Sequence, residues 1–354
     1  MTIGNASLAA GPRLRSTFLL LLATLATLLA GCTAAPQTPP GAASDGLVQR
    51  LVAEVSGTGA MPHLEALQRI ADTNGGNRAS PSPGYEASVD YVTGVLRDAG
   101  YDVSTPTYPV RVGRRGDDQQ KVMLRQVIAQ TRTGNPQKVV MAGAHLDSVP
   151  DGPGINDNGS GVAALLEIAT RLGGTPQITN AVRFGFWGSE EDELNGSTSY
   201  VESLSDADRD DLVLYMNLDM LASPNAGYFV QGGTGHRASR TGPPGSAEVA
   251  KVLTDQLAAA GAAAEPATFD NASDYSAFVA ADVPSAGILT GDEGRKTARE
   301  VLSWGGREGE AFDPCYHSPC DRIDGLDRAA LDRNTDAVAG TLAHFATSTE
   351  PLPL

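Results

Sequence analysis

A single-domain α/β fold, a mostly parallel mixed sheet flanked by helices on both faces, is what this sequence predicts. Two observations carry the prediction. From about Leu47 onward, segments with apolar residues at helical spacing alternate with short β-branched or aromatic runs, a pattern that packs as helices over a sheet. No linker rich in Pro, Gly or Ser interrupts the alternation, so residues 47–348 read as one domain with a short tail at 349–354.

The N-terminus stands apart. Arg13 and Arg15 precede an apolar stretch from Phe18 to Leu29, too short to span a bilayer comfortably and shaped like the apolar core of a secretory signal. It ends in Leu29-Ala30-Gly31-Cys32, which resembles a bacterial lipobox. That resemblance implies a signal peptide over 1–31 and a diacylglycerol anchor on Cys32. The alternative is an ordinary secretory signal with a chance cysteine; either way the protein leaves the cytoplasm. Residues 32–46, rich in Pro, Ala and Thr, read as a flexible tether.

Within the domain the elements follow in order. His63–Asp72 and Tyr85–Ala99 have apolar spacing near 3.6 and end in turns containing Gly, so both read as helices. Val122–Gln130 and Lys138–Ala142 read as strands, the second a β-branched apolar run of the kind a sheet buries on both faces. Val162–Leu172 is a helix, Ala181–Trp187 a strand with alternating aromatics, and Leu212–Met220 a further strand. Ala247–Ala260 reads as helix, Ala286–Leu289 as a short strand and Arg328–Thr347 as a closing helix.

Composition narrows the function. The 354 residues are 41% hydrophobic and 19% charged, ordinary for a globular protein. The formal net charge of −16 argues against a nucleic-acid partner, which demands a basic face. The only cysteines are Cys32, Cys315 and Cys320. With Cys32 lipidated, the remaining pair flanks Tyr316 and His317 and can close a small disulfide loop in an oxidising compartment. A zinc–thiolate site would need further soft ligands, and none are available.

Acids and histidines gather at the ends of the apolar runs: His145 and Asp147 in GAHLDS, Asp157 in GINDNGSG, Glu190 and Glu191 in WGSEE, Asp219 in NLDM, and His317 in CYHSPC. In an α/β sheet such ends converge on one crevice. Each motif alone has a plainer reading. His145-x-Asp147 could be a satisfied polar pair, Asp157 a helix N-cap beside Gly159 and Gly161, and Glu190-Glu191-Asp192-Glu193 a solvated acidic loop. Together, two imidazoles and three carboxylates suit two divalent ions, with one carboxylate left over as a base. Asp157, Glu191 and Asp219 bring three negative charges against four from the ions, and one hydroxide completes neutrality. Without metal, the clustered acids would repel one another and some would protonate. Asp147 is placed to orient His145 from behind.

These motifs, their order and their spacing resemble the M28 family of zinc aminopeptidases, most closely its secreted Streptomyces-type subgroup. The resemblance runs from about His63 to the end and includes TNGGNRA, MAGAHLDSV, GINDNGSG, SPNAGYFV, WGGREGEAFD and DPCYHSPCD. It implies a zinc-exopeptidase-like fold and a zinc-bound hydroxide that cleaves the N-terminal peptide bond of peptides, with preference for apolar first residues. His145, Asp157 and Asp219 would hold one zinc; Asp157, Glu191 and His317 would hold the other, with Asp157 bridging. Glu190 would be the general base, and Tyr316 would hydrogen-bond the oxyanion. The substrate's free α-amine would sit against Glu190 and Asp219.

The sequence departs from the subgroup at Asn271-Ala272-Ser273-Asp274-Tyr275, where Ala272 takes the place of an arginine that helps hold the substrate carbonyl. The resemblance also implies a calcium site at Asp332 and Asp336 with Glu54, although those two aspartates could simply share one helix face. His63, His236 and His344 match no motif and read as surface or capping residues. The expected form is a monomer. A carboxypeptidase or amidohydrolase of the same fold, and a peptide-binding pseudoenzyme, remain as alternatives.

Overall fold

In a computed structural model of the protein, residues 40–112, 120–233 and 241–352 are described. The segment read as a signal peptide, Cys32 and His236 lie outside them. The first helix, α1 (Pro40–Glu54), begins inside the segment read as tether. From Pro39 on, the chain is one unit, and no helix among the described residues is long and apolar enough to cross a membrane.

The central sheet is built from eight strands: β1 (Asp102–Ser104), β4 (Val127–Gln130), β5 (Asn135–His145), β6 (Asn180–Trp187), β7 (Leu212–Leu218), β8 (Phe229–Gln231), β9 (Glu265–Ala267) and β10 (Ser285–Leu289). Their spatial order is β1-β4-β6-β5-β7-β10-β8-β9. The middle of the sheet is parallel: β5 pairs with β6 and β7, and β7 with β10. The β8–β9 pair is parallel too, whereas β1–β4, β4–β6 and β10–β8 are antiparallel. The sheet is therefore mixed and mostly parallel.

Period-2 alternation sends successive side chains to opposite faces. On β5, Val140, Ala142 and Ala144 join one core, while Val139 and Met141 join another. On β7, Leu214, Met216 and Leu218 face the first core and Tyr215 the second; Leu212 also joins the second, across the register shift that separates it from Leu214. The first core is covered by α1, α2 (Gly57–Thr73), α3 (Pro83–Asp98), α4 (Gly161–Leu172), α7 (Ser246–Ala259) and α10 (Arg328–Thr347). The second, smaller one is covered by α5 (Asn195–Ser203) and α8 (Tyr275–Ala280), where Tyr215 stacks on Phe278 with ring centroids 3.6 Å apart. Gly143 makes room here: a Cβ would lie 2.6 Å from both the Trp187 Nε1 and the Tyr215 hydroxyl, which are hydrogen-bonded to each other at 2.9 Å.

One expected strand divides. Val122–Gln130 becomes β3 (Gln120–Arg125), paired with β2 (Thr107–Val112) in a separate hairpin, and β4 in the main sheet. The break is at Gln126, which is buried and donates its N–H to the Pro106 carbonyl at 3.0 Å instead of continuing the ladder. Helix α2 starts earlier than expected because Ser56 caps it, accepting the Gly59 N–H at 2.9 Å.

Candidate metal centre

The parallel strands β5, β6 and β7 deliver their C-terminal ends to one side of the sheet, where α/β folds place their ligands. His145 is the last residue of β5, Glu190 and Glu191 follow β6, and Asp219 follows β7. Asp157 comes from the turn Ile155–Ser160 that leads into α4, and His317 from the loop before α10. Backbone strain clusters here. Ser189, Met220 and His317, each a site residue or its neighbour, take positive φ of 55°, 54° and 50°, a conformation tolerated where surrounding structure over-determines it.

Asp157 sits at the middle. Its Oδ1 is 3.1 Å from His145 Nε2, and its Oδ2 is 3.1 Å from His317 Nε2. His145 Nε2 is also 3.4 Å from Asp219 Oδ1, and His317 Nε2 is 3.0 Å from Glu191 Oε2. Ligand atoms therefore fall into the sets His145–Asp157–Asp219 and Asp157–Glu191–His317, each within 4.8 Å, with a third set, His145–Glu190–Glu191, overlapping both. The helix-cap reading of Asp157 has no support in this geometry: α4 begins at Gly161, and its N-cap residue is Ser160, which makes no side-chain cap hydrogen bond. The acidic run divides as well, Glu190 and Glu191 being half-buried and Asp192 and Glu193 exposed.

Asp147 is fully buried behind His145. His145 Nδ1 is 3.2 Å from the Asp147 carbonyl oxygen and 3.7 Å from its carboxylate, so the nearer acceptor is main chain. The Asp147 carboxylate instead accepts the Glu190 N–H at 3.2 Å and holds the start of that loop. Tyr316 stacks on His317 with centroids 3.8 Å apart, and a disulfide joins Cys315 to Cys320 around the pair, Cα to Cα 5.3 Å.

Burial and the crowding of acids and imidazoles shift the titration of nearly every group in the cluster. Burial, opposed by His145 and reinforced by Asp219, Asp274 and Glu191, pushes the Glu190 carboxyl well above its ordinary range. Burial lifts Glu191 to about 7 against the pull of the His317 hydrogen bond. Hydrogen bonds to Asp157 and Glu191 raise His317 to about 10. Burial lowers His145, yet Glu190 and Asp219 carry it well above the usual imidazole range. Burial and then the Asp157, Asp219, Glu191 and Glu190 carboxylates push the Tyr316 phenol upward, which places its hydroxyl in the field of the acids. Four buried carboxylate oxygens of the cluster, Asp147 Oδ2, Glu191 Oε1, Asp219 Oδ1 and Asp274 Oδ1, make no hydrogen bond, although His145 Nε2 lies 3.4 Å from the Asp219 oxygen; such atoms are costly unless something cationic meets them.

Several further site residues stand in motifs quoted from the sequence without a role assigned to them. Ser273 donates its hydroxyl to Asp219 Oδ2 at 2.6 Å and accepts from Asn217 Nδ2 at 2.8 Å. Asp274, buried beside it, is pushed up to about 7 by desolvation. Asp321 accepts the N–H groups of Asn156 and Asp157. Arg78, fully buried, donates to the carbonyls of Leu146, Pro153 and Gly154 beneath the acids. The clues were slight: Arg78 stands in TNGGNRA and Asp321 ends DPCYHSPCD. Ala272, in the arginine position, is exposed.

The three residues considered for calcium do not form a set of this kind among the described residues. Glu54 pairs with Arg50 at 3.0 Å, and Asp332 accepts the Gly57 N–H at 2.7 Å. Asp336 has a buried, unpartnered Oδ1 and is pushed up to about 6 by burial and then Asp332. His63 pairs with the Tyr91 hydroxyl at 2.7 Å, and His344 occupies the last turn of α10.

Comparison with known proteins bears on this geometry. Residues 126–342 match the model of peptidase family M28. The chain is 34% identical to the "probable lipoprotein aminopeptidase LpqL" of Mycobacterium tuberculosis, over 94% of each chain. It is 41% identical to leupeptin-inactivating enzyme 1 of Streptomyces exfoliatus over 82% of this chain, spanning 62% of that relative. Among solved structures, a zinc aminopeptidase from Bacillus subtilis superposes with a TM-score of 0.63 over 80% of this chain and 94% of its own, at 18% identity. That last likeness establishes a shared fold.

Proposed function

Because the chain belongs to peptidase family M28, we propose that it is an extracytoplasmic zinc aminopeptidase with two ions in one centre. His145, Asp157 and Asp219 would hold the first, and Asp157, Glu191 and His317 the second. The observation that carries the reading is Asp157, whose two oxygens face two different imidazoles at 3.1 Å each. The orphaned oxygens of Glu191 and Asp219 supply one further donor to each set. When bound, the ions supply Lewis acidity toward the scissile carbonyl and toward the attacking water.

The chain's own residues do the rest. Glu190 lies at the edge of the ligand sets, its main chain fixed by Asp147. Its half-buried carboxylate, beside the ligand sets, takes a proton from water and holds it for the leaving amine. Tyr316, held against His317, donates its hydroxyl to the oxyanion. Glu190 and Asp219 offer negative charge to a free α-ammonium, which confines cleavage to the first residue. Preference for apolar first residues follows from the family subgroup, and a monomer is the expected form. For calcium, the orphaned Asp336 oxygen supports a cation near Asp332 and Asp336; Glu54 is committed to Arg50.

The deciding experiment is hydrolysis of free-amine and N-acetylated aminoacyl anilides by the purified domain, with and without chelator. Chelator-sensitive cleavage of free-amine substrates alone is expected. Cleavage confined to blocked substrates would favour a carboxypeptidase or amidohydrolase, and absence of any cleavage a peptide-binding pseudoenzyme.

The lipid anchor on Cys32 is supported by the lipobox and by the relative named as a lipoprotein. Cys32→Ala is expected to release the protein into the medium or leave an uncleaved precursor, as read by immunoblot of cell fractions. A normally processed, membrane-bound variant would refute the anchor.

A further inference from the structure

Asp157 and His317 are 160 residues apart in sequence, yet their separation decides whether the second ion has a site. The structure shows what sets that separation. The loop that carries Tyr316 and His317 is bounded by two buried acids, Asp313 and Asp321, and both turn onto the same short stretch, Ile155–Asp157. Asp313 Oδ2 accepts from Asn156 Nδ2 at 2.6 Å, while its Oδ1 accepts the Cys315 N–H at 2.8 Å. Asp321 goes further and grips the main chain. Its Oδ1 accepts the Asn156 N–H at 2.7 Å, its Oδ2 accepts the Asp157 N–H at 3.0 Å, and its own carbonyl accepts the Ile155 N–H at 3.3 Å.

On its other flank the same turn is tied to the Asp219 segment. Asn158 donates to the Leu218 carbonyl and accepts the Met220 N–H, and Ser160 Oγ accepts the Leu221 N–H. The backbone under Asp157 is thus clamped from the first ion's side by amide and hydroxyl groups. From the second ion's side it is held by a single carboxylate with both oxygens engaged. Two consecutive N–H groups on one carboxylate form a charge-assisted pair with a fixed direction. No other acid in the His317 loop contacts the N–H of Asp157 among the described residues.

We propose that Asp321 is a positioning residue for the second ion: by binding the Asn156 and Asp157 N–H groups from the His317 loop, it sets the span between Asp157 Oδ2 and His317 Nε2. It touches neither ion nor substrate. This inference rests on the two-ion reading of the centre and assigns a part of it that the ligands alone do not explain. Residues that orient a ligand from behind typically change metal affinity by about 10- to 100-fold when replaced.

The test is a calorimetric titration of the metal-free full-length protein with Zn²⁺, parent against Asp321→Asn. In the variant an amide NH₂ replaces one carboxylate oxygen and meets an N–H donor head-on. Affinity for the first ion is expected to stay within about threefold, and affinity for the second to fall about 10- to 100-fold. Absorption spectra of the Co²⁺-loaded proteins read the same split: the band from the first equivalent should be unchanged and that from the second altered. Two equal, parental affinities in Asp321→Asn would overturn the proposal, as would equal loss at both sites. If Asp321→Asn does not fold, Asp321→Glu takes its place, with the same expected split and the same overturning results.

A double-mutant cycle with His317→Ala adds a readout that a general loss of stability would not mimic. Because both changes act on one span, their effects on second-ion affinity should be strongly non-additive; additive effects would sink the idea. A parent that binds only one ion would refute the two-ion reading itself, and this is a different result from a two-ion parent with an indifferent Asp321.

Discussion

Glu190→Gln is expected to keep both zinc ions and lose about 10²- to 10⁴-fold in kcat, the range carried by a positioned general base. The substitution keeps the shape of the side chain and the main-chain hydrogen bond from Glu190 N–H to Asp147, because that bond does not use the carboxylate. What disappears is the ability to take a proton. The change should fall on kcat with KM altered only modestly, since an interaction made mainly in the transition state is lost. Metal analysis beside steady-state kinetics checks both halves. It also decides between the overlapping ligand sets, one of which contains Glu190. A variant that loses an ion would make Glu190 a ligand, and a variant with retained turnover would remove it from the mechanism.

Asp157→Asn carries the second large effect. An amide can offer its oxygen to one cation only, and its NH₂ group points a donor at whichever site remains. Since each Asp157 oxygen faces its own imidazole, the variant should retain about one tightly held ion or fewer, with peptidase activity at background. The measurement is metal content after dialysis, with circular dichroism confirming the fold. Full loading in a folded variant would show that Asp157 does not bridge.

The sequence made the frame of this centre legible because its ligands terminate apolar runs. Strand periodicity locates β5, β6 and β7, and parallel packing then brings His145, the Glu190–Glu191 pair and Asp219 to one edge without further information. His317 was legible through the cysteines beside it. The residues that hold these ligands in place were not. Asp321 meets Asp157 across 164 positions, Ser273 meets Asp219 across 54, and Arg78 meets the Leu146 carbonyl across 68. Each is a polar residue in a polar loop, and nothing local distinguishes a buried hydrogen-bonding role from solvation. The strand break at Gln126 was hidden for a related reason: no Gly or Pro marks it, and apolar spacing continues through it. Strands β1, β8 and β9, three residues each, are too short for periodicity to register. Asp147 shows the finer limit, since spacing predicted its contact with His145 but not that the carbonyl would be the nearer partner.

Arg78 has one more consequence. Its guanidinium is fully buried, and burial lowers its pKa only to about 10, with Asp147, Asp321, Asp157 and Glu191 pulling the other way. It therefore stays charged throughout the physiological range. Unlike an imidazole it cannot release its proton there, and unlike an ion it cannot dissociate. The chain thus brings a permanent counter-charge of its own to the acids. That counter-charge is removed neither by pH in this range nor by loss of an ion.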